Sequence, residues 1–191
     1  MAFQARINDM TVELPDGTVE HPFTFYLDSA DVMNSNKIGY AKTPRGQMAL
    51  NGKRNTQKRR LVEMGHEAAE GVVDSPITKA FVVCEVANTS SKRFFDPPNL
   101  ELTEKHLMDG MVQAGLLTDD NSGVITGGTW FVEHRLSDNE KQRAEGLKER
   151  LSEHENELRE RAKKNGRKRK NKRIFSPYVF CIRVFDLGTE A

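Results

Sequence analysis

Residues 93–125 read RFFDPPNLELTEKHLMDGMVQAGLLTDDNSGVI. Within this stretch Leu107, Met108, Met111 and Val112 recur at helical spacing, with Thr103 as the expected opening residue and Gly115 as the stop. Asp119-Asp120-Asn121-Ser122-Gly123 then carries the residue types of a turn. On either side lie two runs rich in β-branched and aromatic residues, ITKAFVVCEVA (77–87) and the segment 124–134 with Trp130 and Phe131. A short helix bracketed by two strands is therefore the centre of the chain. Trp130 and Phe131 are expected in the core, because strand aromatics usually pack inward.

Working outward, the first third reads as β structure. Phe3, Ala5 and Ile7, then Val12 and Leu14, alternate with polar residues, Asp16-Gly17 marks a turn, and Phe23, Phe25 and Leu27 alternate again. Residues 32–52 are polar with scattered glycines and predict a long loop, of the kind that is usually functional or disordered. A helix is expected from about Asn55-Thr56, with Leu61, Met64, Ala68 and Val72 on one face and Gly71 near its end. Toward the C-terminus, Ser137 and Glu140 have the form of a capping box, which predicts a charged helix to about Lys164. Its stripe of Ala144, Leu147, Leu151, Leu158 and Ala162 is narrow and interrupted by His154, so the helix reads as an exposed arm. The last run, 174–186, is apolar on both faces and predicts a central strand. These elements predict one α+β domain over 1–191, a mixed sheet with a few packed helices, in which 136–173 is a long charged helical insertion with a basic end. The sheet core, not the arm, is the expected route to a dimer.

Charge is segregated along the 191 residues although the net is only +1. Lys37, Lys42, Arg45, Lys53, Arg54, Lys58, Arg59 and Arg60 fall between positions 32 and 62 with no acid among them. The run KKNGRKRKNKR (163–173) holds eight basic residues, including Arg167, Lys168 and Arg169. Basic stretches beside an acidic cluster suit a polyanion held near a metal, while each run alone equally suits a solvated surface. No apolar run approaches the ~18 residues that would cross a bilayer. The N-terminus lacks the apolar core of a signal peptide, and Cys84 and Cys181 read as free thiols in a reducing compartment. A cytoplasmic protein with no membrane partner is the expectation. The five histidines have no zinc-like spacing with the cysteines, and no phosphate-cradling glycine motif is present.

The chemistry concentrates in 96–120, where Asp96, Asp109, Asp119 and Asp120 surround the lone Lys105. Lys105 and Asp109 are four apart and share a helix face. Clustered carboxylates repel unless a cation lies between them, and the hard cation that accompanies phosphate chemistry is Mg²⁺. The same Asp-rich segment also suits a plain turn.

Arg93-x-x-Asp96-Pro-x-Asn99-Leu100, Lys105-x-x-x-Asp109-Gly110, Ala114-Gly115-Leu116 and Thr118-Asp119-Asp120 together resemble the RusA family of Holliday junction resolvases, over about a sixth of the chain. A weaker likeness extends to the Asn34-Ser35-Asn36 segment and the basic helix that follows. Pro98 stands where the family has its middle aspartate, and three extra residues separate Leu100 from Lys105, as in a phage-associated branch. The resemblance implies a homodimer in the cytoplasm of a bacterial or phage-infected cell, acting in DNA recombination and repair. It implies Mg²⁺-dependent hydrolysis of phosphodiesters in four-way junctions or other branched DNA. Asp96 and Asp120 would hold Mg²⁺, Asp119 would ligate it or orient water, and Lys105 would stabilise charge on the phosphate. Asn34, Asn36, Lys53, Arg54, Lys58, Arg59, Arg93 and the 163–173 run would contact DNA. The competing reading is a branched-DNA-binding protein of the same fold with a degenerate metal site.

Overall fold

The computed structural model describes residues 2–34, 41–89, 96–165 and 177–188. The alternating N-terminal run forms two strands, β1 (Phe3–Ile7) and β2 (Met10–Leu14), paired antiparallel as a hairpin. A second sheet joins β3 (Val19–Leu27), β4 (Ala80–Asn88), β5 (Ile125–Glu133) and β6 (Tyr178–Asp186) in the order β3-β6-β4-β5. Only the β4–β5 pair is parallel, so the sheet is mixed and the class is α+β. The apolar last strand is central, between β3 and β4, as its two apolar faces require.

Two helices, α1 (Pro44–Ala69) and α2 (Glu101–Gln113), cover one sheet face. There Leu61 and Ala69 of α1 and Leu107, Met108 and Met111 of α2 pack on Phe25, Val82, Val86, Ile182 and Val184. The helices meet so closely that Gly65 and Gly110 leave no room for a side chain. A Cβ on Gly65 would lie 2.0 Å from the Leu107 carbonyl oxygen, and one on Gly110 2.1 Å from that of Val62.

Three sequence expectations are corrected. Helix α1 begins at Pro44, not near Asn55-Thr56, so part of the expected 32–52 loop is helical. The Thr43 hydroxyl accepts from the Gly46 N–H at 3.2 Å, and Pro44 suits a helix start, where its missing N–H costs nothing. Thr103 does not open α2 but is buried within it, where its hydroxyl accepts from the Met33 N–H at 2.8 Å and donates to the Met33 carbonyl. The chain enters α2 instead through a 3₁₀ turn, Pro97–Leu100. Trp130 is 42% exposed, not core. It lies on the edge strand β5 and meets Phe81 edge to face with centroids 4.9 Å apart, while Phe131 packs partly under the helices.

The other sheet face carries the β1–β2 hairpin on Phe81, Val83 and Phe185. Beside it lies helix α3 (Asp138–Lys164), opened by the expected Ser137/Glu140 capping box. Its contact with the sheet is made by Ala144, buried against Ala87 and Val179. Between hairpin and helix sits a charged network. His134 Nδ1 is 2.7 Å from Glu85 and Nε2 is 2.9 Å from Glu140, while Arg183 donates to Glu85 at 3.2 Å and to Glu20 at 2.6 Å.

This network has a pH signature. The Glu85 carboxylate, then that of Glu140, raise the His134 pKa above its ordinary 6.5 despite burial. Burial alone would raise Glu85 and Glu140, but hydrogen bonds from His134, Arg183 and Ser137 outweigh it and hold both below the ordinary 4.5. A raised histidine stabilises fully below its unfolded value and loses that contribution as pH rises through its folded value. Lowered carboxylates contribute above their unfolded value and lose it as pH falls through the folded one. The contribution of this network to stability is therefore expected to be greatest between 4.5 and 6.5. Urea unfolding across pH 5 to 9 (about the histidine range) checks this: the alkaline decline should be present in the wild type and shallower in His134→Gln. Equal declines in both would remove His134 from the explanation.

Candidate functional site

Helix α2 and the turn before β5 enclose a cleft of 220 Å³ lined by Glu101, Glu104, Lys105, Met108, Asp120, Ile125, Thr129 and Phe131. Because α2 buries Leu107 and Met108, its adjoining face turns Lys105 and Asp109 outward. Lys105 Nζ donates to Asp120 Oδ2 at 2.7 Å and lies 3.8 Å from Asp109. That bond from Lys105 holds the Asp120 carboxyl below its ordinary range, and the same bond to Asp120 raises the lysine. Both groups are thus fixed in their charged forms at the cleft mouth.

Asp109 is the hub that ties this corner to α1. It is 3.0 Å from His106 Nδ1 and 3.9 Å from Lys58 as well as facing Lys105. At 3.8 Å from Lys105 it is an ion-pair partner of the lysine, whose hydrogen bond goes to Asp120.

The three expected metal acids have different surroundings. Asp120 faces the cleft. Asp119 is turned into the 119–123 turn, where its carboxylate accepts from the Asp120 N–H and the Asn121 side-chain amide, each at 2.7 Å. Asp96 is exposed immediately before Pro97, with an extended backbone and no side-chain capping bond. Among the described residues, no group of three or more His, Cys, Asp or Glu side chains surrounds a common point where a metal would bind. Two carboxylates completed by water are nevertheless a sufficient protein contribution for Mg²⁺.

Glu104 escaped the sequence reading. It is 5% exposed, and its Oε1 accepts from the Thr129 hydroxyl at 2.8 Å. Burial pushes its carboxyl up to about 7, the neighbouring Glu101 and Asp120 charges add to this, and the Thr129 bond opposes it. A signal was present: Glu104 falls three, four and seven residues before Leu107, Met108 and Met111, on the apolar face, where an acid is out of place. Glu85, inside the apolar run of β4, carries the same signal for the charged network on the opposite sheet face.

The basic residues of α1 divide between two grooves. Asn34, Lys53 and Arg54 line one, beside the segment that follows β3. Lys58 and Arg59 line another with Val62, Glu63, His66 and Gln113. Lys53, Lys58 and Arg59 are exposed. Asn36, Arg93, Arg167, Lys168 and Arg169 lie outside the described residues. Burial pushes the Cys84 thiol well up and that of Cys181 to about 11, consistent with free, unreactive cysteines. No helix among the described residues is long and apolar enough to cross a membrane.

Compared with models of known protein families and with curated proteins, the chain matches none.

Proposed function

We propose that the protein is a Mg²⁺-dependent, structure-selective endonuclease that hydrolyses phosphodiesters in four-way junctions or other branched DNA. The observation that carries this reading is the Lys105–Asp120 pair, 2.7 Å apart at the mouth of a cleft that also holds a buried carboxyl. When bound, Mg²⁺ supplies Lewis-acid polarisation of the phosphate and a water acidified toward hydroxide. Asp120 would hold the ion, with Asp96 reaching from the neighbouring 3₁₀ turn, which packs beside β5. Lys105 would donate to a non-bridging phosphate oxygen as negative charge grows there. One P–O bond forms to the water oxygen and one to the leaving strand breaks, the strand departing with a hydroxyl. Asp109 would keep Lys105 at the cleft mouth between turnovers. A homodimer would place two such sites on opposed strands, as a two-fold junction requires.

A second reading, a branched-DNA-binding protein with a degenerate metal site, draws on Asp119, whose two carboxylate oxygens each accept a hydrogen bond within their own turn.

Both readings place DNA on the basic side of α1. Lys53→Gln combined with Arg59→Gln is expected to weaken junction binding and to lower the slope of log affinity against log salt by ~0.9 per lost phosphate contact. Titrations of a four-way junction between low and moderate salt measure this, with a linear duplex as competitor. An unchanged slope would return these exposed side chains to an ordinary solvated helix face.

A further inference from the structure

We propose that His134 is a pH-operated latch for α3: carrying two protons it ties the start of that helix to the sheet, and losing one it lets the helix undock. The latch is independent of the nuclease reading.

Both ring nitrogens of His134 face carboxylates, Nδ1 that of Glu85 on β4 at 2.7 Å and Nε2 that of Glu140 on α3 at 2.9 Å. A carboxylate only accepts and a neutral imidazole has one N–H, so both bonds exist together only in the imidazolium. When a proton leaves, the two sides do not share the loss. Glu85 lies on an interior strand and takes a bond from Arg183 at 3.2 Å, so it stays charged and keeps the remaining N–H on Nδ1. The bare Nε2 lone pair then faces the Glu140 carboxylate, acceptor against acceptor. Glu140 can part from it at no cost to its own helix, because its Oε2 accepts from the Ser137 N–H and hydroxyl in the capping box. The break therefore falls between sheet and helix.

The surroundings fit a hinge. The His134 N–H donates to the Val86 carbonyl at 2.8 Å, and Arg135 is paired with Asp9 of the hairpin at 2.7 and 3.0 Å, so both stay with the sheet. Leu136 is then the joint before the helix. The seat beyond it is small: Ala144 on Ala87 and Val179, with Tyr26 and Leu136 at its edge. It is also imperfect. Among the described residues, the buried side-chain polar atoms without a hydrogen-bond partner are the Tyr26 hydroxyl, in this seat, and a guanidinium nitrogen of Arg159, on α3. Buried polar atoms are normally paired, and undocking would give the Tyr26 hydroxyl water.

The charged groups around His134 are Glu85, Glu140 and, behind Glu85, Arg183 of β6 with Glu20 of β3. Cys181 of β6 also faces the two glutamates, its thiol kept neutral by burial. The bonds to Glu85 and then Glu140 raise the histidine above 6.5 against the effect of burial, so it is the member that titrates on the alkaline side. The latch is closed below the folded value and opens as pH rises through it.

The test is a distance between nitroxide labels on the full chain, placed at the exposed positions Thr11 on β2 and Asn156 on α3 by Thr11→Cys and Asn156→Cys. A second pair, Thr11→Cys with Lys53→Cys on α1, reports the rest of the fold. From about pH 6 to about pH 9 the first pair should pass from one narrow distance to a broad distribution. The ratio of docked to undocked helix should fall by up to about tenfold per pH unit above the folded value of His134. The second pair should stay narrow throughout. His134→Gln should abolish the pH step. Glu140→Gln should abolish it too and stay docked, because its amide can donate to the neutral ring while its oxygen keeps the cap. A first pair that stays narrow at high pH overturns the latch, as does a step that survives in either variant. Broadening of both pairs together would mean general loosening and overturns it as well.

Discussion

Gly110→Val is expected to destabilise the protein by about 3 kcal/mol or more, at or beyond the upper end of ordinary overpacking costs. The contact is backbone against backbone. A Cβ at Gly110 would meet the Val62 carbonyl oxygen at 2.1 Å and the His66 nitrogen at 2.7 Å, and neither belongs to a flexible side chain that could swing aside. The helices would have to separate, and the packing of Leu61 against Leu107 and Met111 would open with them. For a domain whose whole stability is on the order of 5–15 kcal/mol, that is a large fraction. The effect also reaches the site, because Lys58 on α1 faces Asp109 on α2 at 3.9 Å. Gly52→Ala is the control: the position is exposed on the same helix with open space around a new Cβ. It should be neutral or stabilise by up to ~1 kcal/mol, the helix preference of alanine over glycine. Urea denaturation of the two variants beside the wild type measures both. A Gly110→Val protein as stable as the wild type would mean that α1 and α2 do not cross at these residues.

Lys105→Met is expected to lower junction cleavage by about 10²–10³, the loss typical of removing one preorganised donor from a developing oxyanion. Methionine keeps much of the aliphatic stem, and Lys105 is half exposed, so the fold should persist. Two consequences follow from the charge. The Asp120 carboxyl loses the bond that holds it down, so its pKa should climb back toward the ordinary 3.8. Cation binding, by contrast, should hold or tighten, since a positive neighbour has left the cleft. Cleavage loss with metal affinity retained distinguishes a lysine that acts on phosphate from one that only props up Asp120. Single-turnover cleavage at saturating Mg²⁺ reads the first, and calorimetry the second. Cleavage at the wild-type rate would remove Lys105 from the chemistry.

What could be read in the sequence, and what could not, has a physical pattern. Strands β1 to β4 and β6 announce themselves because alternation or continuous apolarity follows directly from which faces are buried. The start of α3 was legible to the residue, since a capping box is a local device that needs no tertiary partner. Helix α1 was legible only in its second half, and there the expected face was partly wrong, since Ala68 is exposed and Val72 lies beyond the helix end. Its buried residues are Leu61, Gly65 and Ala69, while 44–60 is largely exposed, so the apolar period begins long after the helix does. The Thr43-Pro44 pair was the available signal for its true start. Trp130 was misjudged because its exposure depends on β5 being an edge strand, and strand order is not written in local pattern. At the site, the i,i+4 relation of Lys105 to Asp109 was readable, and the close pairing of Lys105 with Asp120 across the turn required the fold. The buried glutamates, Glu85 and Glu104, stand as acids among apolar neighbours, a weaker local signal than the dense aspartates, and their burial is set by the fold.

The nuclease reading meets its most direct test in strand nicking of a synthetic four-way junction by the full chain, in Mg²⁺ and in excess chelator, with a linear duplex of the same sequence alongside. Expected are nicks in two opposed strands of the junction in Mg²⁺, none in chelator, and an uncut duplex. A junction left intact in Mg²⁺, or junction and duplex cut alike, would contradict it.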